Sequence, residues 1–223
     1  MKGLTAIKIS ASITICASVF FFTGCQKKIN TIDNEKAIVN TAIGIVYTDV
    51  NPDSVIHGAN PAHQYSLDLT KDGITDFKFE VFFAPQARSG AECQPGPFFY
   101  VRVSPVDGST NEIAINGNFP DVLDSLAIVD STHRQWSADL YQILISGRYN
   151  PGCGGGISQG YWTGSDDKYL GLKIINSGKI YFGWVRLLVS ISKYNFYSSI
   201  SLTVRDYAYN SVPNQQILAG QKK

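Results

Sequence analysis

The sequence predicts an all-β protein: a single antiparallel β-sandwich of jelly-roll type that follows a lipoprotein signal peptide. Three observations carry the fold class. Apolar and polar residues alternate at period two over two long neighbouring stretches, Lys179–Ser192 and Ser199–Tyr209. Gly, Tyr, Phe, Ser and Thr are plentiful, while long amphipathic helical patterns are absent. Turn-forming pairs punctuate the chain, among them Asn51-Pro52, Asn60-Pro61, Asp72-Gly73 and Ser177-Gly178.

In the first of those stretches Tyr181, Val185, Leu187, Val189 and Ile191 share a dry face. Ile180, Phe182, Trp184, Arg186, Leu188, Ser190 and Ser192 share the other, which turns polar toward its end. The second stretch puts Ile200, Leu202, Val204 and Ala208 on one face, opposite Ser199, Ser201, Thr203, Arg205 and Tyr207. The two are expected to pair as a central hairpin. Upstream, Ala37–Val50 carries a first strand with Ile43, Ile45 and Tyr47 alternating, and residues 51–61 read as a loop. His63–Thr70 and Asp76–Phe83 are strands joined by a turn. Tyr65, Leu67 and Leu69 point inward from one, Phe77, Phe79, Val81 and Phe83 from the other. Phe98–Val103 and Glu112–Ile115 read as strands, and Asp121–Leu126 as one helical turn. Ser137–Ser146 fits either period and is read as strand because its neighbours are β. Gly147–Gly164 is the least regular stretch. Tyr169–Ile175 is a strand turned by Asn176-Ser177-Gly178 into Lys179, and Val212–Gly220 closes the domain.

Residues 1–24 look like a targeting segment. Lys2 and Lys8 precede an apolar run, Ile9–Phe22, too short to span a bilayer. The run ends in Phe22-Thr23-Gly24-Cys25, which resembles a bacterial lipobox and marks Cys25 as the lipidated first residue of the mature chain. Its acyl chains would anchor the protein to a membrane. Residues 25–36 then form a polar tether, and 37–220 the sandwich. Without the leader, 17 of the 19 basic residues remain against all 18 acidic ones, a formal charge of −1. No run of like charge exists, so nucleic acid is not an expected partner. Cys93 and Cys153 are the two cysteines left after Cys16 and Cys25. In an oxidising compartment they are candidates for a disulfide.

Asp68-Leu69-Thr70-Lys71-Asp72-Gly73-Ile74-Thr75-Asp76 carries the strongest chemical signal. Oxygens of Asp68, Thr70, Asp72 and Asp76 at positions 1, 3, 5 and 9, the Ile74 carbonyl at 7 and Gly73 at the sharp turn suit Ca²⁺. Position 12 is Phe79 rather than a bidentate Glu, so the loop is not an EF-hand. The other reading is a hairpin turn in which Asp and Gly act only on conformation. Tyr161 and Trp162, in a Gly-rich loop beside Asp166 and Asp167, are candidates for stacking on a sugar ring; alternatively both rings cap the core. Gly156-Ile157-Ser158-Gln159-Gly160 matches G-x-S-x-G, but no strand pattern precedes it, no helix pattern follows, and the last histidine is His133. His57, His63 and His133 share no metal-ligand spacing.

Three pieces, DLTKDGITDFKF at Asp68–Phe79, KYLGLKI with YFGWVRLLVS over Lys168–Ser190, and VRDYAYNSVPNQQILAG at Val204–Gly220, resemble exported β-rich proteins and lipoproteins of Bacteroidetes-like bacteria. Phe182, Asn210 and Thr70 depart from that pattern, where Tyr, Glu and Asn are common. The resemblance implies a sandwich-like domain in the envelope and carries no activity. Gln26-Lys27-Lys28 lacks the acidic residues associated with surface export in such bacteria, which favours the periplasmic side of the outer membrane. The reading is therefore a non-enzymatic, envelope-anchored structural or binding module with a calcium loop, its partner a glycan or an envelope protein. A glycan-binding jelly roll using Tyr161 and Trp162 is the alternative, and a glycan-degrading enzyme on the same scaffold is a third.

Overall fold

The computed structural model describes residues 44–84, 97–106, 108–148, 158–163, 167–194 and 197–223. All of them belong to one compact unit, Thr41–Lys223. Cys25, Cys93 and Cys153 lie outside the described residues, so the anchor and the bridge expected from them do too.

The protein is an antiparallel sandwich. Its larger sheet runs in the order β1 (Ile45–His57), β13 (Tyr197–Asn210), β12 (Lys179–Tyr194), β11 (Lys168–Asn176), β5 (Glu112–Asn116) and β6 (Phe119–Pro120), with β8 (Gln135–Ser137) also paired to β5. The smaller sheet runs β10 (Ser158–Gln159), β9 (Gln142–Arg148), β4 (Phe98–Pro105), β3 (Phe77–Ala84) and β2 (His63–Leu67). β7 (Ile128–Val129) and β14 (Ile217–Leu218) pair as a separate two-stranded ribbon.

The expected central hairpin forms: β12 pairs with β13 from Gly183↔Tyr209 to Tyr194↔Tyr197. The hairpin before it forms as well. Asn176 pairs with Lys179 around Ser177 and Gly178, both at positive φ (51° and 74°), as a two-residue turn requires. Between the sheets lies one core. Phe77, Phe79, Val81, Val101 and Val103 of the smaller sheet meet Leu172, Val185, Leu187, Val189, Leu202 and Val204 of the larger. Gly183 stands in β12 because a Cβ there would come within 2.7 Å of the Ala208 carbonyl and 2.9 Å of Leu69.

Four expectations change. The register of β12 against β13 shifts between Arg186 and Leu187, which pair with Asp206 and Val204. Arg205 is the extra residue, so parity flips beyond it: Tyr207 joins Val204 in the main core while Ala208 faces outward. The strand of Ile45 continues through Pro52 to His57, with an irregularity between Asp49 and Ser54 opposite the same Arg205. It sits at the sheet edge, the place where a strand tolerates proline. No helical turn forms at Asp121–Leu126. Leu123 instead bridges to Tyr169, and Leu126 takes φ 68°. Ser137–Ser146 divides between β8 and β9 around Tyr141, which has φ 66°.

The outward face of the larger sheet has its own cover. Leu123, Val129, Ile217 and Ala219 close over Phe182, Trp184 and Ala208 in a second apolar cluster. Backbone bonds hold the cover: Ala219 N–H donates to Ala127 O (2.9 Å) and Leu126 N–H to Ala219 O (2.8 Å). Gly171 permits the approach, since a Cβ on it would lie 2.9 Å from Ala114 and 3.4 Å from Leu123 and Val129.

Candidate functional site

The loop between β2 and β3 carries Asp68, Thr70, Asp72 and Asp76, and its three carboxylates are turned onto the loop's own amides. Asp76 Oδ2 accepts from the N–H groups of Leu69 (2.8 Å) and Thr70 (3.2 Å), and its Oδ1 faces Asn111 Nδ2 at 3.5 Å. Asp68 accepts from the amides of Asp72 (3.3 Å) and Gly73 (2.8 Å), and Asp72 from that of Ile74 (2.8 Å). Gly73 takes φ 87° and Lys71 φ 63°, and Ile74 is exposed. Asp76 itself is buried. Burial pushes its pKa above the ordinary carboxylate value, its two amide donors pull it down, and the charges of Asp72 and Asp68 push it up again; the net shift is upward. Thr70 Oγ1 is buried with no hydrogen-bond partner among the described residues. Also among the described residues, no three His, Cys, Asp or Glu side chains are gathered as a metal cluster.

Tyr161 and Trp162 part company. Trp162 is fully buried, its Nε1–H donating to Pro120 O (3.2 Å), so it has no face to offer a sugar. Tyr161 is 50% exposed and packs edge-on against Phe119. The pair cannot act as one stacking platform. Ser158 of the G-x-S-x-G stretch lies within β10, paired to Gly147, rather than on a strand-to-helix elbow. His133 pairs with Asp130 (2.8 Å), and His63 Nδ1 lies 3.0 Å from the His57 carbonyl oxygen.

Two side-chain groupings escaped the sequence reading. One surrounds Asp206, which is fully buried on the outward side of the larger sheet. Arg186 donates to it bidentately, Nε to Oδ1 (2.8 Å) and Nη2 to Oδ2 (2.9 Å). Tyr47 OH donates to Oδ2 (2.9 Å), and Lys222 Nζ lies 3.1 Å from the same oxygen and 2.9 Å from Tyr47 OH. Burial works against the Arg186 charge, but its bonds to Asp206 outweigh burial and hold its pKa above the usual value. With all these partners engaged, the group serves as a clasp that fixes the C-terminal segment to β1 and β13.

The other grouping is a row of aromatic and cationic side chains on the outward face of the smaller sheet. Alternation puts it there: Val81 of β3 and Phe99 and Val101 of β4 point into the core, so Phe82, Phe98, Tyr100 and Arg102 point out. Phe82 and Tyr100 are cross-strand partners stacked at 5.0 Å with 11° between planes, and Phe98 leans on both at 6.0 Å. Arg148, paired to Phe98 across β9, sets its guanidinium 5.3 Å from the Phe98 ring. At the other end the Arg102 guanidinium lies between the rings of Tyr100 (4.7 Å) and Tyr141 (4.1 Å). Glu80 accepts from Arg102 Nε, and Gln64 donates to Glu80 (2.9 Å). The three central rings are half-buried, while Tyr141 and Arg148 are exposed. The sequence signal was aromatic residues at outward positions of adjacent strands, in register with arginine.

Neither family models, nor curated proteins, nor solved structures yield a match to this chain.

Proposed function

We propose that the protein is a lipid-anchored, non-catalytic binding module of the bacterial cell envelope, and that its ligand docks on the outward face of the five-stranded sheet. The observation that carries the reading is the row from Arg148 to Tyr141, large rings and guanidinium groups left accessible on a rigid sheet. Cys25, which follows the leader of residues 1–24, would supply the anchor through its acyl chains, placing the domain beside the membrane at the end of the polar tether. The test has two arms. Cys25→Ser is expected to move the chain from the membrane to the soluble fraction and to abolish fatty-acid labelling. The double variant Phe98→Ala/Tyr100→Ala is expected to lose retention on isolated envelope material while still unfolding cooperatively, its melting temperature lowered by only a few degrees. Retention indifferent to those rings would sink the assignment of the face.

A second reading, Ca²⁺ at the Asp68–Asp76 loop, is favoured by the buried Thr70 hydroxyl, which has no partner among the described residues, and by the Asp76 carboxyl, whose pKa is raised first by burial and then by the charges of Asp72 and Asp68. A cation would have to share these oxygens with the amides that now use them, which puts the affinity in the weak range of extracellular modules, about 10⁻⁴–10⁻³ M.

A further inference from the structure

Resting on the binding face just proposed, we infer that its ligand is an acidic polysaccharide, a chain of pyranose rings bearing carboxylates, lying along β4. The shape of the face selects an extended chain. It is a single file, cation–ring–ring–cation, running from Arg148 past Phe98 and Tyr100 to Arg102. A stable protein partner needs a patch of roughly 20–30 residues a side, far wider than one file. A polysaccharide repeats an apolar C–H face at every sugar, and a file of rings can meet successive faces.

The charge of the face selects the sign. Among the described residues, Lys78, Arg102 and Arg148 project with this row and Glu80 is the acid beside them, so this described part of the face is cationic although the mature chain carries a formal charge of −1. Arg102 spends Nε on Glu80, and its two Nη groups have no partner among the described residues. Arg148 has no carboxylate partner among the described residues either. Both guanidinium planes are steadied against rings, so each can present a fork to a carboxylate with less ordering left to do. Gln64 and Glu80 add planar polar groups suited to sugar hydroxyls at the Arg102 end.

The experiment uses the detergent-solubilised full chain in affinity electrophoresis against polygalacturonate, with dextran as the neutral control. Retardation by polygalacturonate and not by dextran is expected. It should weaken as salt is raised through the screening range. Arg148→Gln should weaken binding roughly tenfold or more, the worth of one charge-assisted hydrogen bond. Phe98→Ala should do likewise while still unfolding cooperatively within a few degrees of wild type, which separates lost contact from lost fold. Equal retardation by dextran, or polygalacturonate binding indifferent to both variants, overturns the inference. If polygalacturonate does not bind but envelope material is still retained through Phe98 and Tyr100, the ligand class is wrong and the binding face stands. Loss of both removes both.

Discussion

The outward faces of the two sheets carry similar residues and meet different fates. On the larger sheet Phe182 and Trp184 lie under the chain's own cover of Leu123, Val129, Ile217 and Ala219, and both are buried. On the smaller sheet Phe82, Phe98 and Tyr100 stay half-buried, with no equivalent ribbon across them among the described residues. A folding chain gains from removing such rings from water, and this one does so where β7 and β14 reach. Under the proposed function, the row left open among the described residues is where a ligand would use the rings. The comparison makes a quantitative claim. Trp184→Ala should cost about 3–5 kcal/mol, because a fully enclosed ring leaves a cavity. Tyr100→Ala should cost only about 1 kcal/mol or less, the worth of a cross-strand aromatic pair. Denaturant midpoints of the two variants measure this directly. An equal loss would break the comparison and make the open row part of the core.

The ionic clasp sharpens it. Asp206 is fully buried and Lys222 is half exposed, though both belong to one network. Asp206→Ala leaves the partly buried Arg186 without its counter-charge and should cost about 3–5 kcal/mol. Lys222→Ala removes a solvent-screened partner and should cost about 0–1 kcal/mol. The same denaturation series compares them. If Lys222→Ala matched Asp206→Ala, the cover would depend on its last residues rather than on the bidentate pair beneath it.

What the sequence disclosed follows the same division. Alternation through Lys179–Ser192 placed Phe182 and Trp184 opposite Val185 and Leu187, and Asn176-Ser177-Gly178 announced the hairpin, because both are local patterns of side-chain direction and backbone freedom. The bulge at Arg205 left no such mark. One inserted residue changes parity without changing composition, so Ala208 and Tyr207 lie on the faces opposite to those that simple alternation predicts. That Trp162 caps the core is one of the two readings its sequence allowed, and it holds for Trp162 but not for the half-exposed Tyr161; its partner, the Pro120 carbonyl, is remote in the chain and has no local signal. The aromatic row was legible in part. With Val81 and Phe83 read inward, Phe82 had to point out, but only the pairing of β3 with β4 and β9 sets it beside Tyr100, Phe98 and Arg148.

The smallest effects come from two acids that both fold back on backbone amides, one in each region. Asp130, following β7 in the cover, is pushed up by burial, but the amide and ring of His133 and the amide of Thr132 outweigh that and hold its pKa below the ordinary value. Its contribution to stability is present above the ordinary pKa of 3.8 and is lost as pH falls through its lowered value. Asp76, leading into β3, is shifted the other way. Its contribution is fully present below 3.8 and is lost as pH rises through its raised value, so at neutral pH its charge opposes folding. On acidification from neutral pH, Asp130→Asn should therefore lose less stability than wild type, and Asp76→Asn should lose more, as read from unfolding free energies across the acid range. Calcium enters the same balance. A cation beside Asp68 and Asp72 would relieve the repulsion that a proton on Asp76 relieves, so the two should compete. At ten times a Kd of about 10⁻⁴–10⁻³ M, Ca²⁺ should add about 1.4 kcal/mol at neutral pH, a gain that Asp72→Ala removes. That gain should fade as pH falls through the raised Asp76 pKa, because the protonated loop no longer has the charge to attract the ion. A wild-type melting point indifferent to millimolar Ca²⁺ at neutral pH would leave these carboxylates serving the amides of Leu69, Thr70, Asp72, Gly73 and Ile74 alone.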